Sequence, residues 1–106
     1  MAIQDSSFFE MKEDNINKAS KALKAMGHPL RLKILCVIGE QELPVMEIVK
    51  QVGTTQSNIS QHIDILREKD IITSRREGSK ILCKVRDHNI LVLMNAMQQT
   101  FCPVKQ

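Results

Sequence analysis

Between Thr54 and Glu68 the chain places Gln56, Ser57, Ser60, Gln61 and Asp64 on one side of a helical repeat and Ile59, Ile63 and Leu66 on the other. The first set is short, hydrogen-bonding and nearly uncharged, whereas a face meant only for water carries Lys and Glu more often. Amides and hydroxyls at this spacing suit the donor and acceptor edges that base pairs present in the major groove of duplex DNA. The second chemically capable set is sulfur: Cys36, Cys83 and Cys102. Three thiols, an odd number, do not make a secreted disulfide scaffold. The chain offers no nucleophile–base pair at useful spacing, no phosphate loop and no catalytic carboxylate cluster, so neither an enzyme nor a bound cofactor is expected.

A polar helix face reads DNA only if neighbouring elements present it. Upstream, Pro44 to Val52 reads as a short amphipathic helix with Val45, Ile48, Val49 and Val52 inward. Gly53 supplies a left-handed C-cap, and Thr54 or Thr55 caps the next helix. Helix, tight turn and helix make a helix-turn-helix. Downstream, the β-rich runs 71–76 and 80–85 flank Glu77-Gly78-Ser79 as a hairpin, which after a recognition helix is a wing.

Two helices precede this unit, one from about Phe8 to Met26 with Phe9, Ile16, Ala19, Leu23 and Met26 on one side, and one from Pro29 to about Ile38. In the latter, Pro29 suits the first turn and Leu32, Ile34, Leu35 and Ile38 supply the buried positions. A last helix, capped by Asp87, runs from His88 to about Phe101 and is apolar nearly all round. Left uncovered, it is a sticky surface, which the first helix and a second subunit would cover. The expected fold is mainly α with a small β-hairpin, in the order α-α-α-α-β-β-α. Residues 1–106 form one winged helix-turn-helix domain, with residues 1–14 either a flexible arm or the start of the first helix.

Composition narrows the partner. Three Phe, no Trp and no Tyr leave almost nothing for stacking single-stranded bases, so duplex binding is the expectation. The net charge is +3, and the segment from Gly53 to Arg86 carries the excess through Arg67, Lys69, Arg75, Arg76, Lys80, Lys84 and Arg86. Around a helix-turn-helix and its wing, such cations point to phosphates. Candidate DNA contacts are therefore Gln56, Ser57, Ser60, Gln61, Arg67, Arg75, Arg76 and Lys80. His62 has two readings, as a DNA contact or as a hydrogen-bonded histidine at the core edge beside Ile59 and Leu66. No run approaches the ~18 apolar residues of a membrane span, and no signal-peptide pattern opens the chain. A cytoplasmic protein with reduced thiols is expected.

The segments 21–35 (Lys-Ala-Leu-Lys-Ala-Met-Gly-His-Pro-Leu-Arg-Leu-Lys-Ile-Leu), 57–67 (Ser-Asn-Ile-Ser-Gln-His-Ile-Asp-Ile-Leu-Arg) and the Arg75-Arg-Glu-Gly78 wing resemble the ArsR/SmtB family of winged-helix repressors. The resemblance implies a homodimer joined through the first and last helices, an inverted-repeat operator, and release by an inducer. It places Ser57, Ser60, Gln61 and His62 at the DNA, with Arg75 and Arg76 on phosphates. The family's metal sites are incomplete here. The third helix has no cysteine, and Asp87-His88 lack the second His and carboxylate expected near Gln98 and Gln99, so no metal is expected. Cys36 and Cys102 instead resemble the thiol pair of the persulfide- and redox-responsive branch, where a disulfide or polysulfide bridge forms when reactive sulfur species or oxidants arrive. That implies Cys36 and Cys102 as the sensing pair, with Cys102 the more exposed attacking thiol, while Cys83 reads as packing. A metal inducer held by Cys36, Cys102, His28 and His88, or a protein-interaction module on the same fold, are the alternatives.

Overall fold

The structure, a computed structural model, describes residues 10–102. Five helices and three strands follow in the order α1 (Glu13–Met26), α2 (Pro29–Ile38), β1 (Glu42–Pro44), α3 (Val45–Val52), α4 (Gln56–Glu68), β2 (Ile72–Glu77), β3 (Lys80–Val85) and α5 (His88–Phe101). The mainly helical winged helix-turn-helix is as the sequence implies, with three differences in detail. Helix α1 starts at Glu13, so Met11 and Lys12 precede it, while Phe8 and Phe9 lie outside the described residues. Helix α3 starts one residue after Pro44. The hairpin also gains a third strand, β1, giving an antiparallel sheet of order β1-β3-β2. A three-residue strand ending in proline carries no alternating signal, and Pro44 is tolerated because β1 is an edge.

The ends of the helices follow local chemistry. The His28 side chain accepts a hydrogen bond from Leu30 N at 3.0 Å, and Pro29 occupies the first turn of α2. Thr55 Oγ1 accepts from Asn58 N at 3.1 Å and Asp87 Oδ1 from Asn89 N at 2.8 Å, so each caps its helix as expected. Gly53 takes φ 87°, ψ 28° after α3, a left-handed conformation that L side chains adopt at a cost. Asp70, at φ 61°, does the same after α4, aided by the tolerance of Asp for this region. Its carboxylate lies 3.4 Å from the Arg86 guanidinium, and Arg86 N donates to Ile71 O at 2.9 Å. These contacts join the end of α4 to the base of the wing.

The core is one apolar cluster. Ile34, Leu35 and Ile38 of α2, Ile48 of α3, Ile59, Ile63 and Leu66 of α4, Ile71, and Ile72, Cys83 and Val85 of the sheet pack together. Cys83 is fully buried, and burial pushes its thiol pKa up, as a packing residue requires. Helix α1 contributes Ala25 and Met26, with Ala22 partly buried beside them, and α5 has no fully buried residue but packs Ile90, Leu91 and Met94 against the cluster. Ile16, Leu23, Val92, Leu93, Met97 and Phe101 stand exposed on these two helices.

One polar junction sits beside the seam between α2 and α4. Arg31 donates through Nε to Ala25 O, and its Nη1 lies 3.2 Å from His62 Nδ1. The His62 ring also lies 4.6 Å, centroid to centroid, from that of His28. A ring nitrogen facing a guanidinium must accept, so the neutral imidazole with its proton on Nε2 fits here. Burial first, then electrostatic repulsion from the neighbouring His28 and Arg31 side chains, hold the His62 pKa below the ordinary 6.5. The unfolded chain therefore takes up this proton at higher pH than the folded one. The contribution to stability is complete above about pH 6.5 and is lost as pH falls below it. Urea melts from about pH 8 to about pH 5 are expected to show the midpoint of the native chain dropping more than that of His62→Gln. Parallel pH profiles would remove this role of His62.

Candidate nucleic-acid interface and thiol groove

Helix α4 is held by its apolar stripe, and this orients everything opposite. With Ile59, Ile63 and Leu66 buried, Gln56, Ser57, Gln61 and Asp64 are exposed and Ser60 is half-buried. The polar face therefore occupies the position the periodicity assigned to it. Asn58 is turned back, its Nδ2 donating to Thr54 Oγ1 at 3.3 Å, and steadies the turn between α3 and α4. His62 is half-buried against Arg31 and His28, the geometry of the core-edge reading.

The wing's cations separate into engaged and free. Arg67 pairs with Asp64 on its own helix and donates to Ser74 Oγ of β2 at 2.6 Å, which ties α4 to the wing. Arg75 grips Glu42 of β1 with two hydrogen bonds, 2.9 Å from Nε and 2.8 Å from Nη2, and lies 3.6 Å from Glu77. Hydrogen bonding to Arg75 holds the Glu42 carboxyl below its usual pKa, and the same bond raises that of Arg75. Among the described residues, Arg76 and Lys80 make no side-chain hydrogen bond or ion pair.

Sheet register explains why two adjacent arginines differ. Arg76 pairs with Ile81, on the same face as the Ser74–Cys83 and Ile72–Val85 pairs that meet the core. Arg75 pairs with Leu82, and Thr73 with Lys84, on the other face, where Glu42 also lies opposite Lys84. Consecutive residues of a strand point to opposite sides, so one arginine meets the edge strand and its neighbour does not.

A cleft of about 630 Å³ opens between α3, the start of α4 and the wing. Gln56, Ser60 and Lys80 line it, so three of the residues singled out in the sequence converge there. Lys50 and Met46 of α3 line it as well, and sequence reasoning missed both. Their i, i+4 spacing on the outer face of α3 was the available signal, obscured because α3 reads as a supporting helix. Glu42 was missed because the strand carrying it was.

The thiols occupy a different region. Cys36 of α2 and Cys102, directly after α5, are both exposed and reduced, and both line one groove of about 590 Å³. Leu32, Leu35, Leu91, Met94, Met97 and Phe101 form much of its wall. Within one chain the four-residue metal set fails on distance. His88 and Cys102 sit at opposite ends of the 14-residue α5, about 21 Å long. Among the described residues no group of three or more His, Cys, Asp or Glu side chains is placed to share an ion, and no helix is long and apolar enough to cross a membrane.

Residues 28–74 match the family described as bacterial regulatory protein, arsR family. Over 93 residues the chain is 33% identical to the biofilm growth-associated repressor of Xylella fastidiosa, spanning 88% of this chain and 82% of that one. The solved structure of HlyU from Vibrio cholerae is similar with a TM-score of 0.80 at 30% identity, across 86% of this chain and 99% of that one. HlyU of that organism is named a transcriptional activator. A homodimeric winged helix-turn-helix DNA-binding domain from Mycobacterium bovis shares the fold, with a TM-score of 0.78 at 22% identity across 94% and 89% of the two chains. The helix-turn-helix core, the wing and these likenesses converge on one assignment: the chain belongs to the arsR family of bacterial regulatory proteins and is a winged helix-turn-helix transcriptional regulator, not an enzyme.

Proposed function

We propose that this chain is a homodimeric repressor that binds an inverted-repeat operator when reduced and releases it when Cys36 and Cys102 are bridged. The observation that carries the sensing half is the single apolar groove lined by both exposed thiols, one on the helix that packs against α4 and one at the end of α5. The exposed polar face of α4 supports the DNA-binding half. Gln56, Ser57, Ser60 and Gln61 read base edges, Arg76 and Lys80 reach phosphates from the wing, and Arg67 fixes α4 against it. His62 acts from the core edge. The exposed apolar residues of α1 and α5 support the dimer, since Leu23 at 54%, Val92 at 52% and Phe101 at 74% exposure are costly to leave in water. The name of one relative, the biofilm growth-associated repressor, supports a repressor, although HlyU is named an activator.

The chemistry of release balances with a hydropolysulfide as oxidant. The Cys102 thiolate attacks a sulfane sulfur, leaving a Cys102 persulfide and a shortened polysulfide anion. The Cys36 thiolate then attacks Cys102 Sγ, and hydrosulfide departs with the electron pair. Two thiols lose two electrons and two protons, and sulfane sulfur is reduced to sulfide. A direct disulfide requires Cα atoms within about 7 Å. Where a second polysulfide has first converted Cys36 to a persulfide, its terminal sulfur attacks Cys102 Sγ, hydrosulfide departs, and the trisulfide formed spans a wider gap. Either bridge ties α2 to α5 and shifts how α4 and the wing are presented.

Operator binding is expected to weaken steeply with salt, and Arg76→Ala with Lys80→Ala to reduce the slope of log K on log salt by about 0.9 for each phosphate left unneutralised. An unchanged slope would remove the wing from the interface. Val92→Asp is expected to shift the protein from dimer to monomer in sedimentation and to abolish tight operator binding. A dimer that survives it would move the interface elsewhere. After polysulfide treatment the native chain is expected to lose operator affinity as a Cys36–Cys102 bridged peptide accumulates in mass spectra. Cys36→Ser and Cys102→Ser should bind before and after treatment alike. Release that persists in both variants would end the thiol mechanism and leave DNA binding standing.

A further inference from the structure

We infer that Glu42 is an internal competitor for DNA phosphate at Arg75, so that the edge strand sets how strongly the wing grips an operator. The inference rests on the DNA-binding reading above and adds to it a residue that touches no DNA itself.

Three observations carry it. The guanidinium of Arg75 is surrounded by carboxylate: Glu42 takes Nε and Nη2 in a two-point grip, and Glu77 stands 3.6 Å from Nη1. A fork of this kind matches a carboxylate or a phosphate equally well in shape, and with Glu42 on the Nε/Nη2 edge a phosphate takes that same two-point grip only by displacing it. Secondly, the pair is solvent-accessible on both sides, so exchange of one anion for another meets no burial barrier. Thirdly, the ion pair spans the sheet. β1 and β2 are not neighbours, and Glu42 reaches Arg75 over β3, so the pair clamps the edge strand to the first wing strand without help from backbone bonds between them. Arg76, one residue on and on the opposite face, has no such partner among the described residues. The wing therefore carries one cation ready for phosphate and one whose two-point edge becomes available only when Glu42 lets go.

Operator affinity is measured by fluorescence anisotropy across a salt series for reduced native protein, Glu42→Gln, Glu42→Asp, Arg75→Ala and the Glu42→Gln/Arg75→Ala double variant. Glu42→Gln is expected to bind about threefold to tenfold tighter, with a salt slope steeper by about 0.9 for each further phosphate neutralised. Glu42→Asp keeps the charge but loses the reach for a two-point grip, and is also expected to bind tighter than native. In the Arg75→Ala background Glu42→Gln is expected to change nothing. Weaker binding by both Glu42 variants shows a merely structural strut and overturns the inference. So does tightening that survives in the Arg75→Ala background, or that Glu42→Asp lacks, since net charge then explains it. A native protein that binds no duplex at any salt concentration sinks the DNA-binding reading itself, a failure visible before any Glu42 variant is compared.

Discussion

The burial of Ile59, Ile63 and Leu66 against α2, α3 and the sheet is the constraint on which the remaining geometry depends. Each such side chain is worth roughly 1.5–3 kcal/mol when fully removed from water. A rotation of α4 large enough to expose them would sacrifice most of that and bury Gln56, Gln61 and Asp64 without partners. The helix has one stable orientation, and in it the amides and hydroxyls face out. The outward polar surface, proposed to meet DNA, is a by-product of apolar packing on the reverse side.

Around that seam the molecule is asymmetric in how firmly its parts are held. The helix-turn-helix and wing are joined by the core, by Arg67 between α4 and β2, and by Asp70 and Arg86 at the base of the hairpin. Helices α1 and α5 flank this unit with little buried surface of their own. The thiol groove lies between the firm and the loosely held parts, with Cys36 on a core helix and Cys102 after a peripheral one. The covalent link proposed at this boundary would move the peripheral part relative to the firm one, because the core resists deformation more than the flank does.

Much of this was legible in residue patterns. The 3.6-residue repeat identified α4 and its two faces, and Gly53, Thr55 and Asp87 announced helix ends through their backbone and capping chemistry. Helix α5 announced its exposure through an excess of apolar residues. The start of α1 was placed too early because apolar spacing continues upstream of Glu13 without a strong cap to end it, and the Lys12 side chain makes no cap bond. Strand β1 was invisible because three residues ending in proline have no period to detect. The cleft residues Lys50 and Met46 were overlooked for a related reason: a short helix is read for what it buries, not for what lies beside its outer face.

By itself the sequence determined the winged helix-turn-helix order, the polar face of α4 and the basic character of the hairpin. All three follow from local periodicity, turn chemistry and residue type, which need no knowledge of distant neighbours, whereas Cys36 and Cys102 were singled out by family resemblance. Only the tertiary structure decided which cations are paired among the described residues. Arg75 and Arg76 are adjacent and chemically identical, yet one is held by a carboxylate from a strand 33 positions away and the other is not. Only it set His62 against Arg31 and brought Cys36 into one groove with Cys102. Those partners are separated by long stretches of chain, and sheet register and helix packing, not sequence spacing, determine which of them meet.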